Sequence, residues 1–244
     1  MKHKIPFLFL FFIFSFINSN LYSQTVDEII DKYAEAMGGA DKLLSVNSLK
    51  LSGTIQGGGS DFPFIMILKR TGKARTEIDY QGMQFINACD GNTGWIINPF
   101  QGTRDAEMLP AERVKSLRKN SEIEGELINY REKGYKAEFL EKDDFEGSEV
   151  YKIKLTDNEG DVTYYFIDID TDLLLMSKSK RKIGEKEITT EIVYGNYRKT
   201  NDIMFPLSYQ IRNNGGDGNQ NISFDKVEID ISVNDDIFKI PVTN

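Results

Sequence analysis

Few side chains in this sequence have the types and spacing that catalysis requires. The chain has one histidine, His3, and one cysteine, Cys89. Ser-His-Asp triads, Cys-His pairs and histidine proton shuttles need an imidazole, and His3 lies in a segment that reads as a removable leader. One thiol cannot form an intramolecular disulfide or a zinc site built from several cysteines. We therefore predict no enzymatic activity, no cofactor and no metal, and we interpret Cys89 as a small buried residue.

One acidic run approaches the spacing of a calcium loop. Asp168, Asp170 and Asp172 match the first three ligands of such a loop. Position six, which requires glycine, is Leu173, and position twelve, which requires glutamate, is Ser179. We interpret the run as a hairpin turn between two strands.

The N-terminus has the pattern of a signal peptide. Residues 1–4 are basic, residues 5–17 are almost continuously apolar, and residues 18–23 form a polar tail. The apolar stretch is shorter than the roughly 20 residues that a transmembrane helix needs. No cysteine lies near the expected cleavage after Ser23, so no lipid can be attached there. We predict a signal peptide over 1–23 and a soluble periplasmic domain over 24–244; the alternative is an uncleaved anchor helix.

The charge of the chain excludes two classes of partner. The formal net charge is −8, and loss of Lys2 and Lys4 with the leader takes it to −10. Phosphate backbones and anionic lipid headgroups both require a cationic face. We therefore predict neither nucleic-acid binding nor stable attachment to a membrane surface.

The hydrophobic pattern predicts about twelve strands and three helices. A capping box at Thr25 and Glu28 begins a first helix that ends at Gly38. Two more helices are predicted, over 110–120 and from a second capping box at Ser121. Period-two alternation and recurrent turn residues indicate an antiparallel meander. The predicted strands are 49–56, 62–70, 73–81, 83–89, 93–98, 136–142, 148–157, 161–170, 173–182, 186–198, 203–213 and 219–231.

Several of these strands are apolar on both faces, so both faces of the sheet must be covered. One interpretation is a barrel or sandwich packed solid with side chains. The other is a curved sheet whose concave face holds an apolar ligand, with methionine and phenylalanine adapting to variable acyl chains. The candidate cavity residues are Phe62, Phe64, Met66, Met83, Phe85, Trp95, Ile97, Tyr164, Phe166, Leu174 and Met176. The candidate residues of the covering helices are Leu109, Val114, Leu117, Ile123 and Leu127.

Two stretches carry a resemblance to a known family. The sequences FIMILKRTGKARTE (64–77) and DGNTGWIINPF (90–100) resemble LolA, the periplasmic carriers of outer-membrane lipoproteins. The whole chain is similar to the longer lipoprotein-sorting proteins of Bacteroidetes-type bacteria, which share its terminal Asp-x-x-Phe-x-x-Pro element (Asp235 or Asp236, Phe238, Pro241). The resemblance implies a curved antiparallel half-barrel of about 11–12 strands with a helical lid on its concave side.

The resemblance also implies a role for Arg70. In the family, the arginine of a Lys-Arg-Pro turn lies within the half-barrel and binds lid backbone, which couples ligand entry to opening; here the proline is replaced by Thr71. Without the resemblance, Arg70 reads as an exposed cation at a strand end.

Two functions fit these observations. The first is a carrier that binds lipoprotein acyl chains or lipid and delivers them towards the outer membrane. Its partners would be an inner-membrane lipoprotein-releasing transporter and an outer-membrane acceptor. The alternative is a sensor or scaffold module of the same fold that binds a lipoprotein or envelope protein.

Overall fold

The computed structural model describes most of the chain beyond the predicted signal peptide, residues 1–23, which lie outside the described residues. Among the described residues, no helix is long and apolar enough to cross a membrane. The described ranges are 24–57, 59–101, 105–183, 186–214 and 219–241.

Thirteen strands form one antiparallel sheet in this part of the chain. They are β1 (Ser48–Gly57), β2 (Ser60–Lys69), β3 (Lys73–Tyr80), β4 (Met83–Asp90), β5 (Gly94–Ile97), β6 (Glu107–Met108), β7 (Lys136–Phe145), β8 (Ser148–Thr156), β9 (Val162–Asp168), β10 (Leu174–Ile183), β11 (Lys186–Thr200), β12 (Ile203–Asn213) and β13 (Gln220–Ile229).

The spatial order of the strands shows two meanders joined at one seam. The order is β6-β5-β4-β3-β2-β1-β13-β12-β11-β10-β9-β8-β7. Strands β1–β6 form one meander and β7–β13 the other, and β1 pairs with β13. The sheet is curved and does not close, since β6 and β7 lie at its two edges. The predicted antiparallel half-barrel is confirmed; the additional strand, β6, has two residues and is too short to show alternation.

The first helix begins at the predicted capping box. The Thr25 amide donates to the Glu28 carboxylate at 3.0 Å, and the Glu28 amide donates to the Thr25 hydroxyl at 3.2 Å. The buried side chains of this helix include Ile29 and Tyr33. The three α-helices of the described residues are α1 (Val26–Ala36), α2 (Ala40–Ser45) and α3 (Ala111–Asn120).

The helix predicted after Ser121 is wrong. Ser121 caps the C-terminus of α3, and residues 123–134 form turns. Gly125 and Asn129 have φ angles of +73° and +55°, and residues in this left-handed region interrupt a right-handed helix. The third helix is α2 instead, which is too short for its periodicity to be visible in the sequence.

The two faces of the sheet are buried by different parts of the chain. We call the face that carries the main core the inner face; it is covered by α1, α2 and residues 109–135, which we name the lid. Smaller apolar clusters lie on the outer face, one of them around Trp95 and the other around Phe166. The strands that are apolar on both faces are therefore covered on both sides.

A C-terminal 3₁₀ turn, Asp235–Phe238, covers part of the outer face. Phe238 is fully buried, and its carbonyl accepts a hydrogen bond of 2.9 Å from the Trp95 indole. Hydrogen bonds from Lys69 and Lys73 lower the pKa of Asp235 to about 2. The terminal element that supported the family resemblance thus fixes the chain end against β2–β5.

The seam between the meanders depends on a close approach at Gly53. The β1–β13 register shifts between Ser52 and Gly53. A Cβ atom at Gly53 would lie 1.9 Å from the Ser223 carbonyl oxygen and 2.7 Å from the Phe224 Cα. Because both atoms belong to the backbone, no side-chain movement relieves the clash, and a residue without a side chain is required.

We predict that Gly53→Ala destabilises the protein by at least about 2 kcal/mol, because the methyl group would force β1 away from β13. Gly57→Ala in the same strand is the matched control, since its Cβ would meet only the Phe62 ring at 3.8 Å. It should change the free energy of unfolding by less than about 0.5 kcal/mol. Urea unfolding checks both variants, and equal effects would contradict the role of Gly53.

Candidate functional site

A cavity of about 310 Å³ lies between the inner face and the lid. This volume is at the lower end of the range of about 300–1,000 Å³ that is typical of small-molecule pockets. From the sheet, the wall includes Leu49, Leu51, Met66, Leu68, Tyr165, Leu174, Ile192, Tyr194, Tyr197, Phe205, Tyr209, Ile211 and Ile222. From the covering segments, it includes Tyr33, Met37, Leu43 and residues 119, 120 and 122–127.

The structure brings four of the predicted site residues into this wall: Met66, Leu174, Ile123 and Leu127. The last two come from the turn segment of the lid and not from a helix. Each lies where the inner face of the sheet meets the covering segments.

Four other predicted cavity residues share the inner face but lie beside the cavity. The ring centroids of Phe62 and Tyr80 are 4.6 Å apart, and those of Phe64 and Phe224 are 5.8 Å apart. The remaining two, Met83 and Phe85, pair with Tyr80 and Ile78, and Met83 is partly exposed at the β3–β4 hairpin.

Trp95 and Ile97 lie on the outer face, contrary to the prediction that they line the cavity. Trp95 packs with Ile86 and Ala88, and the Arg75 guanidinium lies 5.4 Å from its ring centroid. The alternation of side chains along β5 does not show which residues face the cavity. Apolar residues are needed on the outer face too, because the C-terminal turn covers it.

Tyr164, Phe166 and Met176 also lie outside the cavity. Phe166 and Met176 form a buried cluster of the outer face against which Tyr164 packs. The prediction placed Leu174 and Met176 on one face, but a β-bulge shifts the register between them: Leu174 pairs with Ile167, and Met176 pairs with Phe166. An extra residue in one strand turns the following side chains to the opposite face.

Sequence reasoning missed the most distinctive property of the cavity, which is its phenol content. Five tyrosines line it: Tyr33, Tyr165, Tyr194, Tyr197 and Tyr209. The available signal was weak, since tyrosine on an alternating strand looks the same whether it faces a core or a cavity. Burial raises the pKa of all five, that of Tyr194 to about 12, so they remain neutral donors at neutral pH.

The apolar contacts of α3 are concentrated near β5. A Cβ atom at Gly94 would lie 3.0 Å from a Val114 methyl group and 3.2 Å from a Leu109 methyl group. The Leu109 amide also donates to the Gly94 carbonyl at 2.8 Å. Val114 is the buried residue of α3, and Leu117 is half-buried. Helix α3 therefore rests on the sheet through few apolar side chains, whereas Leu127, Ile128 and Tyr130 bury the rest of the lid in the main core.

Ion pairs attach α3 to the β8–β9 turn. The Lys119 ammonium contacts the Asp157 carboxylate, whose side chain is 3% exposed, and lies 3.7 Å from Glu126. Hydrogen bonds to Glu159 and Asp161 raise the pKa of Lys115. The helix is thus held largely by charged contacts, which is unlike the apolar packing of the sheet.

Arg70 connects three segments around the cavity. Its Nε donates to the Val46 carbonyl at 2.8 Å, and its Nη2 donates to the Leu43 carbonyl at 2.8 Å. Its Nη1 donates to the Glu124 carboxylate of the lid at 2.9 Å. One guanidinium therefore joins the end of β2, the end of α2 and the lid.

Glu124 is the buried partner in this arrangement. Lys133 lies 3.4 Å from its carboxylate, on the other side from Arg70. Burial acts to raise the pKa of Glu124, but its own backbone amide and the charges of Lys133 and Arg70 lower it below the usual value. Burial raises the pKa of the neighbouring Glu122, to which Lys133 donates a hydrogen bond. Arg70 and Lys133 are thus the cationic partners of the Glu122 and Glu124 carboxylates in the lid.

The turn after Arg70 has a conformation that proline cannot adopt. Thr71 has a φ angle of +81°, whereas the ring of proline fixes φ near −65°. A β-branched residue at positive φ is strained. Thr71 therefore gives this turn a conformation that is incompatible with the proline expected from the resemblance.

Comparisons with known proteins find similarity at the level of structure. No protein-family model and no curated protein matches the chain. A LolA superfamily protein from Nitrosomonas europaea aligns over 88% of this chain and 97% of its own, with a TM-score of 0.56 and 11% identity. The fold is LolA-like. A DUF1329 family protein from Desulfovibrio piger covers 88% of this chain and 97% of its own (TM-score 0.60, 12% identity).

A third structural neighbour comes from Vibrio parahaemolyticus. It is a domain assigned to outer membrane lipoprotein sorting, and it covers 86% of this chain and 94% of its own length. The TM-score is 0.54 at 11% identity. The expected LolA-like architecture thus extends over nearly the whole described chain, with Arg70 at the contact between sheet and lid.

We predict that Lys119→Gln loosens α3 without unfolding the sheet, because it leaves the buried Asp157 carboxylate without its cation. Amide hydrogen exchange of residues 111–120 should accelerate about 10- to 100-fold. Lys136→Gln is the control, since its ion pair with Glu138 is exposed. Unchanged exchange in α3 would show that these ion pairs do not hold the lid.

Proposed function

We propose that this protein is a periplasmic carrier that binds an acyl chain of a lipid or lipoprotein in the cavity beneath the lid. The observation that carries the proposal is the cavity itself, a largely apolar space between the lid and the inner face of a LolA-like half-barrel. Each methylene group removed from water contributes roughly 0.8 kcal/mol, so burial of a chain supplies ample binding energy. Export through the predicted signal peptide, residues 1–23, belongs to the same proposal.

Release requires a second state in which the lid no longer encloses the chain. The contact of Arg70 with Glu124 and that of the lid residue Lys119 with Asp157 are polar, so water can replace them at modest net cost. Leu127 and Ile128 are buried in the main core, so opening that begins at α3 costs less than displacement of the whole lid. A donor transporter in the inner membrane and an acceptor in the outer membrane would shift the balance between the two states by binding one of them better.

The direct test is native mass spectrometry of the full-length protein, exported to the periplasm and purified without detergent. We expect a mass excess from bound lipid or lipoprotein, which organic extraction removes. A protein of bare polypeptide mass, whose cavity also stays empty when phospholipid vesicles or acylated peptide are supplied, would contradict the carrier.

We predict that Arg70→Leu accelerates the release of a bound fluorescent acyl probe by about 10- to 100-fold, because the lid and α2 lose three charge-assisted hydrogen bonds. Arg212→Leu is the control, since Arg212 is partly exposed and pairs with Glu146 at 3.5 Å, away from the lid. Stopped-flow fluorescence measures the rates, and circular dichroism checks the fold. Equal release from the wild type and Arg70→Leu would remove the assigned role of Arg70.

A module that binds an envelope protein is the second candidate. Large apolar side chains are exposed near the β5–β6 edge: Phe100 is 59% exposed and Met108 is 57% exposed. A protein bound at this edge would remove both side chains from water, which is favourable. Co-purification of a protein in place of a lipid would favour this candidate.

A further inference from the structure

A second cavity, of about 260 Å³, lies beside the one beneath the lid. The two cavities share Glu122, Ile123 and Glu124 in their walls, so they are adjacent. The rest of the second wall comes from the turn after β2 and from the lid: Arg70, Thr71, Gly72, Arg118, Ser121 and Lys133. We call this space the polar pocket, because charged and polar groups form most of its wall.

The charges in the wall of the polar pocket do not balance. Its two carboxylates already have cations: Arg70 donates to Glu124 at 2.9 Å, and Lys133 donates to Glu122 at 2.7 Å. Lys133 also lies 3.4 Å from Glu124. The third cation of the wall, Arg118, is therefore left without a carboxylate in the pocket. The wall carries one net positive charge, in a chain whose formal net charge is −8.

The position of Arg118 is set by the turn after β2. A Cβ atom at Gly72 would lie 2.9 Å from the Arg118 Cγ and 3.3 Å from its Cδ, so the aliphatic stem of the arginine packs on the glycine backbone. Among the described residues, the Arg118 guanidinium forms no hydrogen bond and no ion pair. The residue is exposed, so a ligand can reach it from solvent. The turn thus holds an unpaired guanidinium at the wall of the pocket.

A singly charged oxyanion is the group that complements this wall. Guanidinium N–H groups match the oxygens of a phosphate in a bidentate geometry, and such charge-assisted hydrogen bonds are stronger than neutral ones. Because Glu122 and Glu124 are already paired, an anion that binds Arg118 need not displace either carboxylate. A phosphodiester carries one negative charge, which equals the net charge of the wall.

We propose that the polar pocket binds a phosphate group through Arg118. Since the pocket adjoins the cavity beneath the lid, one molecule can place an acyl chain in the cavity and its phosphate headgroup in the pocket. In that form the inference rests on the proposed function and names the ligand as an anionic lipid. A free phosphate ion offers Arg118 the same chemistry, so the experiment separates the two sources.

The test uses isothermal titration calorimetry with three ligands: dihexanoylphosphatidylglycerol, dihexanoylglycerol and inorganic phosphate. The first two have the same acyl chains, and only the first has a phosphate headgroup. The wild type should bind the phospholipid about tenfold more tightly than dihexanoylglycerol. Arg118→Gln should remove this difference and leave the affinity for dihexanoylglycerol unchanged. Arg113→Gln is the matched control and should behave as the wild type, because Arg113 is exposed on the same helix but lies outside the wall of the pocket.

The outcomes separate the two sources and the two proposals. Inorganic phosphate that binds the wild type and loses about tenfold in Arg118→Gln, with no preference between the acyl ligands, would assign the pocket to a free ion. Equal binding of both acyl ligands by the wild type and Arg118→Gln, with no binding of phosphate, would overturn the phosphate site and leave the carrier intact. Phosphate binding that depends on Arg118, without binding of dihexanoylglycerol or the phospholipid, would keep the site and contradict the carrier. Equal losses in Arg113→Gln and Arg118→Gln would overturn the role of Arg118.

Discussion

The pairing of β1 with β13 is the contact on which the rest of the structure depends. It joins the two meanders into one sheet. The register of this pair shifts at Gly53, where the two backbones lie so close that a Cβ atom would clash with β13. With this seam in place, Leu51 of the first meander and Ile222 of the second face the same cavity. The inner face is continuous because the first and last strands of the chain pair there.

The sheet and α3 are held mainly by different interactions, and the difference suits the proposed carrier. Apolar burial, which is strong and not directional, holds the sheet and α1 together. Charged hydrogen bonds from Arg70 and Lys119 hold α3 and Glu124, and water can replace them, whereas Leu127, Ile128 and Tyr130 anchor the rest of the lid in the main core. A structure built in this way can open at its lid while its sheet stays intact, as repeated loading and release of a chain would require.

The sequence predicts the helices and strands whose formation depends on local residue patterns. It does not predict the features that depend on contacts between segments far apart in the chain. The capping box of α1 and twelve strands could be read from periodicity. The face of Trp95 could not, because its partner Phe238 lies 143 residues further along the chain. The bulge that separates Leu174 from Met176 has no local signature, and the left-handed residues of the lid overrode the capping pattern at Ser121. The tyrosine wall was missed for the same reason: it collects one residue from α1, one each from β9 and β12, and two from β11.

The central claim is that an acyl ligand lies on the inner face beneath the lid. Photo-crosslinking with an acyl ester that carries a diazirine in its chain, followed by peptide mass spectrometry, tests this most directly. The account predicts adducts on the inner-face segments around Leu51, Ile192 and Ile211 and on the lid near Ile123. Adducts confined to the outer-face clusters around Trp95 or Phe166, or no specific adduct at all, would contradict it.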